Sequence, residues 1–564
     1  ATAGLLAFVF PGSMSAKAPS FNVTRLKLSG IDCSPEYNPF TDGNNISPLS
    51  GWGNYQWKIN TSSDSAQFYF NQGINMYYAF HIIEARASFA KVTQLDPQSA
   101  MGWWALALSF GPNINDFSYS APPDALSAAR KAQSLSNFYT PKEKALIHAI
   151  NTRYSEDTTQ SRETLNKAYA AAMKQAFKDL PKDADIAALY ADALMVLHPW
   201  DLYHHDFKPK PWTPEIVSVL ETALKLNPAN PGANHYYIHA VEASENPGRA
   251  LPSADRLPGL MPDVAHLVHM PSHIYIRTGN YNKGVVVNEN AIRGYQKYLQ
   301  AFPAVAENVA LYSIHNVHME ANCNQMSGNF AKSKASSIKT LESVPQEYLA
   351  IPGPLGHFVQ YVYATPIFTM VRFGKWEEIL KAPVPDSLPY AKILSHFARG
   401  IAFARTGQTN HATFELTNLR VKMNEDESLK EPFTPFNSAY NTSRIAEEIL
   451  AGVIAEEAGR LNDAIEHFEK GVAFEDALIY NEPRDWLLPV RHYLGQALLK
   501  TGKYAQAELV YMQDLKINPT NGWALTGLHQ AQVKQNNKTA AAKTLVMLNK
   551  AFSEKDVEVK SSVF

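Results

Sequence analysis

The sequence predicts an all-α helical-repeat solenoid, wound as a right-handed superhelix and preceded by an extended, partly β N-terminal arm. Three observations predict it. From about Ser65 onward apolar residues recur with helical period; glycine-centred turns punctuate the helices; and the residues before Ser65 show neither feature. At 564 residues the chain is too long for one simple core, whereas a stack of hairpins grows without splitting.

Taken in chain order, residues 1–60 form the arm. They are rich in Ser, Asn, Gly and Pro, with a β-leaning piece at Phe21-Asn-Val-Thr-Arg-Leu-Lys-Leu28. The apolar run Gly4–Phe10, followed by Pro-Gly-Ser-Met-Ser-Ala16, reads either as the end of a secretory leader or as an arm that packs on the body or on a neighbouring copy. Either way the expectation is an exported protein, secreted or periplasmic. It contains no run of ~18 apolar residues, so no transmembrane helix is expected.

The first hairpin follows. Ala66–Phe80 and Glu84–Val92 are amphipathic segments that stop at Asp96-Pro97. Further inter-helix turns are expected at Gly279-Asn-Tyr281, Gly328-Asn-Phe330, Gly374-Lys-Trp376, Gly407-Gln-Thr-Asn410, Gly459-Arg-Leu461 and Gly502-Lys-Tyr504. The clearest copy runs from Leu494 to Glu508 and closes at Asn518-Pro519. An early small residue, an aromatic near the turn, alanines in the second helix and a closing proline match the tetratricopeptide layout. This gives a first solenoid over 61–330 and a second over 331–564. The loops Gly111–Asp116 and Lys208–Trp212 interrupt the pattern and are long enough to cover an open end or mouth.

Charge excludes some functions. Lys+Arg is 51 and Asp+Glu 53, so there is no long-range field to hold nucleic acid or an anionic membrane. Cys33 and Cys323 stand far apart with no second thiol nearby, which rules out zinc–thiolate chemistry and leaves one long-range disulfide or two free thiols. There is no phosphate-binding glycine loop, no His-Glu-x-x-His and no Gly-x-Ser-x-Gly. The carboxylate pairs at 377–378, 447–448 and 456–457 read as solvated helix faces. Trp103-Trp104, Tyr77-Tyr78 and Tyr236-Tyr237 read as packing between repeats. Sequons occur at Asn22, Asn45, Asn60, Asn441 and Asn537.

One anomaly stands out. Ten of the eighteen histidines lie between 198 and 318, where an even spread would put about four. His235 and His239 are four apart on one helix face, with Glu242 three further on; His266, His269 and His273 form a second stripe; His315 and His318, with Glu320, form a third. Each group precedes a turn glycine or a Pro-Gly break, so each belongs to the first helix of a hairpin. The stripes should then converge on the concave wall. Imidazoles four apart on one helix suit a first-row transition metal (copper, zinc or iron), with His235, His239, His266, His269 and His273 as ligands and Glu242 ligating or orienting a ring. Pro271 either bends the second stripe or starts a helix. His198-Pro-Trp-Asp-Leu-Tyr-His204-His205 reads as a lid or as a helix-ending turn. His148, His357, His396, His411, His467, His492 and His529 read as ordinary packing or capping residues.

The strings NHYYIHAVEAS, ADRLPGL and AHLVHMPSHIYIRTGNY between Asn234 and Ala291 resemble a largely uncharacterised family of bacterial secreted or periplasmic tetratricopeptide-repeat proteins. The resemblance extends to residues 66–115 and 480–530. It implies the repeat fold and an exported protein. Family members read Phe-Asn-His-x-Glu in the first repeat, where this chain has Phe80, His81, Ile82, Ile83 and Glu84. The histidine is displaced by one residue, about 100° around a helix, so a ligand from the first repeat is not expected although Glu84 is kept.

Three functions follow as expectations: a metal site on the concave wall with hydrolytic or oxidative chemistry; a scaffold whose groove takes a protein or peptide; or a structural protein that assembles with copies of itself through the arm.

Overall fold

Helices begin where the chain supplies a cap. Ser63, Ser99, Asp183, Asn230, Asn329 and Asn521 each accept a hydrogen bond from a first-turn N–H, and Thr140 with Glu143 forms a reciprocal capping box. The computed structural model describes residues 43–564 except 45, 117–118, 136–139, 302–305 and 434–435. Among the described residues the fold is all-helical; the only β pairings are isolated bridges, Tyr203–Pro209 and Pro432–Ser438. None of these helices is long and apolar enough to cross a membrane.

Successive helices pack as antiparallel hairpins, as the sequence predicts. All six expected turn glycines (279, 328, 374, 407, 459 and 502) take positive φ, which closes each helix without a Cβ penalty. A second regularity recurs within hairpins. A glycine of the first helix faces an aromatic ring sixteen residues on: Gly73 and Phe89, Gly452 and Phe468, Gly495 and Tyr511. A Cβ at any of the three would lie 2.4 Å from the ring, so the small residue sets how closely the two helices cross.

The described residues divide into two compact units, one up to residue 316 and one over 317–564. The first has its own apolar core, in which Trp57 meets Trp104 at 5.6 Å and Tyr78 meets Tyr236 at 6.2 Å between ring centroids. The expected packing role of the paired aromatics holds, with Trp103 only half-buried. The second unit has a separate core from Tyr361 to Ala531.

The β-leaning segment Phe21–Leu28 and the apolar run Gly4–Phe10 lie outside the described residues, as does Cys33. Residues 46–60 of the expected arm run without regular structure apart from a turn at 50–51, and no strand forms there. Their N–H groups donate instead to side chains of the first helix: Leu49 to Gln72, Trp57 to Asn71 and Ile59 to Gln67, at 2.9–3.0 Å. Trp52 and Trp57 are buried by this arrangement. The solvated-face reading fails at Glu456, which is buried and paired with Arg405 at 2.8 Å.

Candidate metal centre

Asn230 starts the helix Pro231–Val241 by accepting from the Ala233 N–H at 2.8 Å, and Pro231 at its first turn fixes φ where an N–H is not needed. His235 and His239 therefore project one above the other, ring centroids 4.9 Å apart. The second stripe is split at Met270-Pro271 into Ala265–His269 and Pro271–Arg277. Proline thus starts a helix, and His269 and His273 keep adjacent rings at 4.8 Å across the junction. The helix Ala306–Met326 brings in His315, whose ring lies 4.7 Å from that of His269.

The expected ligands His235, His239, His266, His269 and His273 come together with Glu242 and His315 in the first unit. Two groups of three histidines offer nitrogens all within 4.8 Å of one another: His235, His239, His266, and His269, His273, His315. His239, Glu242 and His273 form a third set that links the two. His318 does not join; both its ring nitrogens are buried without a partner and its ring edge rests on Tyr361 in the second unit. His204 and His205 are exposed, and His198 ends a helix and stacks on Trp212 at 3.8 Å, while Trp200 of the same segment meets His239. The histidines expected to be ordinary include His396, His467 and His492, each bonded to a carboxylate at 2.6–3.0 Å.

The expectation put the histidines on an open wall. The site is closed instead: the five expected histidines are at most 6% exposed, and His315 is half-buried. Phe80, held at positive φ, packs its ring on His235, His239 and His266. Trp200 meets His239 edge-on at 5.0 Å and Tyr312 meets His266 at 4.9 Å. Asn115, from the loop Gly111–Asp116, ties these two covers together. It accepts from Trp200 Nε1 at 3.1 Å and donates to Tyr312 Oη at 3.3 Å. The covering role expected of that loop is realised by this one amide.

Hydrogen bonds fix which ring nitrogen faces inward. The Nδ1 of His235 donates to the Tyr78 carbonyl at 2.7 Å. The Nδ1 atoms of His239 and His273 donate to the two oxygens of Glu242 at 3.2 and 2.6 Å. The Nδ1 of His269 donates to Asn288 Oδ1 at 2.5 Å, with Ser272 Oγ 3.3 Å away; the Asn288 amide is oriented by its own donation to Gly284 O. Each partner is an acceptor, so the Nδ1 of His235, His239, His269 and His273 carries a proton. Nε2 atoms converge across the cluster: His266 to His235 at 3.2 Å, His269 to His273 at 2.8 Å and His273 to His315 at 3.3 Å. Burial first, and neighbouring imidazoles next, hold His235, His266 and His269 well below the usual histidine range, so these rings are neutral at pH 7.

Sequence reasoning missed Asn288, Tyr312, Phe80 and the Tyr78 carbonyl as parts of the site. No local pattern distinguishes Asn288; it is placed by the helix Tyr281–Ala301 packing against both histidine helices of the second stripe. His81 sits outside the two triads, 3.6 Å from Glu84 and edge-on to Trp52 and Tyr298.

Comparison with known proteins bears on the fold. Residues 489–521 match the family model described as "Tetratricopeptide repeat", over the hairpin with the clearest sequence signature. The match covers that one hairpin, which carries a tetratricopeptide repeat; the described residues around it form further helical hairpins. No curated protein matches it. Solved structures with overlapping helices include the human IFIT1 dimer with m7Gppp-AAAA, 13% identical over 88% of this chain and 92% of that one, TM-score 0.29. Yeast Tom70 is 10% identical over 87% and 93%, also with TM-score 0.29. Overlaps this loose carry no information about the site.

Proposed function

We propose that this repeat protein holds transition-metal ions in its buried histidine cluster. One position is formed by His235, His239 and His266 and the other by His269, His273 and His315. What supports the reading is the approach of the His269 and His273 Nε2 atoms to 2.8 Å, with the Nδ1 of each ring already bonded to an acceptor. Two acceptors in contact repel unless a cation lies between them. A proton is disfavoured, because burial and neighbouring imidazoles oppose a charged ring at His269. A metal ion fits: ligands at ~2.0–2.1 Å in a tetrahedral shell stand ~3.3 Å apart, close to the nitrogen spacings observed. An all-imidazole set suits copper, zinc or iron and not magnesium or calcium.

Glu242 acts in this reading as the carboxylate that orients His239 and His273 and raises their basicity, the usual outer partner of a ligating imidazole. The ion, once bound, supplies a Lewis-acid or redox centre. The chain's own residues exclude bulk water: Phe80, Trp200 and Tyr312 wall the histidines, and Asn115 holds the latter two.

Elemental analysis after metal loading and removal of excess tests this. Wild type should carry up to two ions per chain, and the double variant His235→Ala/His269→Ala should carry none. Wild type without metal above trace after loading sinks the proposal. We further propose export, supported by the apolar run Gly4–Phe10 followed by small residues; recovery of the native protein only from the cytosolic fraction would refute it.

A further inference from the structure

A second site lies in the 317–564 unit and shares no residue with the histidine cluster. It is an open cleft between the helices Gly353–Tyr363, Pro389–Arg405 and Ala439–Glu457, the segment that precedes the last of these and the segment that follows Leu461–Asp476. Its walls are aromatic. Phe358 and Phe433 stack at 5.3 Å and 8°, and Phe433 meets Phe436 at 6.1 Å. Tyr361 and Tyr390 face each other on the inner side at 6.4 Å.

The polar groups in the cleft are acidic or neutral. The Asp485 carboxylate accepts from Asn437 Nδ2 at 2.7 Å and from Asn481 Nδ2 at 2.9 Å. A carboxylate has about four lone-pair directions, so two donors leave it able to take more. Glu431 stands at the exposed rim. His357 is buried, and burial lowers its pKa, so it adds no charge. Among the described residues, no lysine or arginine lines the cleft. Arg484, the neighbour of Asp485 in sequence, contributes favourably to its charge, but burial outweighs that and the two asparagines, and the carboxyl is held above its usual range.

From these walls and this carboxylate we infer that the cleft binds an alkylammonium group, its apolar stem between the aromatic rings and its cationic head against Asp485. Ring faces attract a cation through their quadrupole, and the half-buried Asp485 carboxylate adds a charge-assisted hydrogen bond. The repeat architecture favours a lysine side chain on a partner polypeptide over a free amine.

Calorimetric titration of the full chain tests this with three probes: Nα-acetyl-lysine methylamide, n-butylammonium, and Nα-acetyl-norleucine methylamide as the neutral isostere. The lysine derivative should bind at least about tenfold more tightly than norleucine, the factor expected for a charge-assisted bond. Asp485→Asn, which retains an acceptor for the asparagines, should remove that preference. Phe433→Leu should weaken both charged probes without touching Asp485, and serves alone if Asp485→Asn fails to fold. Tighter binding of the lysine derivative than of butylammonium assigns the ligand to a polypeptide; the reverse assigns it to a free amine. Equal affinity for lysine and norleucine derivatives, or no binding of either charged probe, overturns the inference.

Discussion

The two oxygens of Glu242 accept from the Nδ1 atoms of His239 and His273, at 3.2 and 2.6 Å, so one buried carboxylate sets the tautomer of a histidine in each triad. Removing its charge while keeping its shape should weaken both metal positions together. Glu242→Gln is expected to lower metal affinity by about 10–100-fold, the range found when outer partners of ligating histidines are changed. Competition with a chromophoric chelator measures it, and circular dichroism checks that the helices are retained. Unchanged affinity in a folded Glu242→Gln protein would show that the carboxylate only fills space.

Asn115 fastens Trp200 and Tyr312 over the cluster through two neutral hydrogen bonds. Asn115→Ala should leave the ligand set intact and make the cover easier to open. Losing a neutral bond of ~1 kcal/mol corresponds to about fivefold in an opening equilibrium, so chelator-driven metal release should quicken by about that factor. Stopped-flow release at fixed chelator concentration reads the rate. Affinity at equilibrium should change much less.

The repeat architecture was legible because its signals are local. Turn glycines, closing prolines and helical periodicity each act within one hairpin, and Gly279 through Gly502 take the conformation that the spacing implied. The histidine stripes were legible for the same reason: His235 and His239 share a face by helix geometry alone. Which stripes meet is not local. His315 joins His269 and His273 while His318, three residues on, packs on Tyr361; the spacing allows a shared face but does not say which neighbour each residue meets. Asn288 and Asn115 carry no pattern of their own. Their roles come from the packing of the Tyr281–Ala301 helix and from where a loop ends.

His318 should give the protein a measurable pH dependence separate from the metal site. Burial pulls its pKa down to about 3, and neither nitrogen has a partner. The folded chain therefore keeps it neutral, while the unfolded chain takes up a proton below ~6.5. Stability from this residue is fully present above ~6.5 and falls as pH drops towards 3, by ~1.4 kcal/mol per pH unit. His318→Leu removes that term. Between pH 7 and pH 5 the variant should gain ~2 kcal/mol relative to wild type, seen as a widening difference in unfolding midpoint. Parallel pH profiles for the two proteins would contradict this.

Tyr511 is wedged between two glycines: a Cβ at Gly495 would lie 2.4 Å from its ring and one at Gly527 would lie 2.0 Å away. Its hydroxyl bonds Ser562 Oγ at 2.7 Å, so the ring is held at its tip as well as on both sides. Alanine at Gly495 should raise helix propensity by up to ~1 kcal/mol, but overpacking against a ring that cannot move costs ~1–3 kcal/mol. The steric term wins, and Gly495→Ala is expected to lower the unfolding midpoint of the C-terminal repeats. Gly259 supplies the opposite case, being helical and exposed, with nothing within 4 Å of where a Cβ would stand. There only propensity acts, and Gly259→Ala should be neutral or stabilising by up to ~1 kcal/mol. Thermal unfolding of the two variants beside wild type decides the matter, because propensity alone predicts the same sign for both and the glycine–aromatic contact predicts opposite signs.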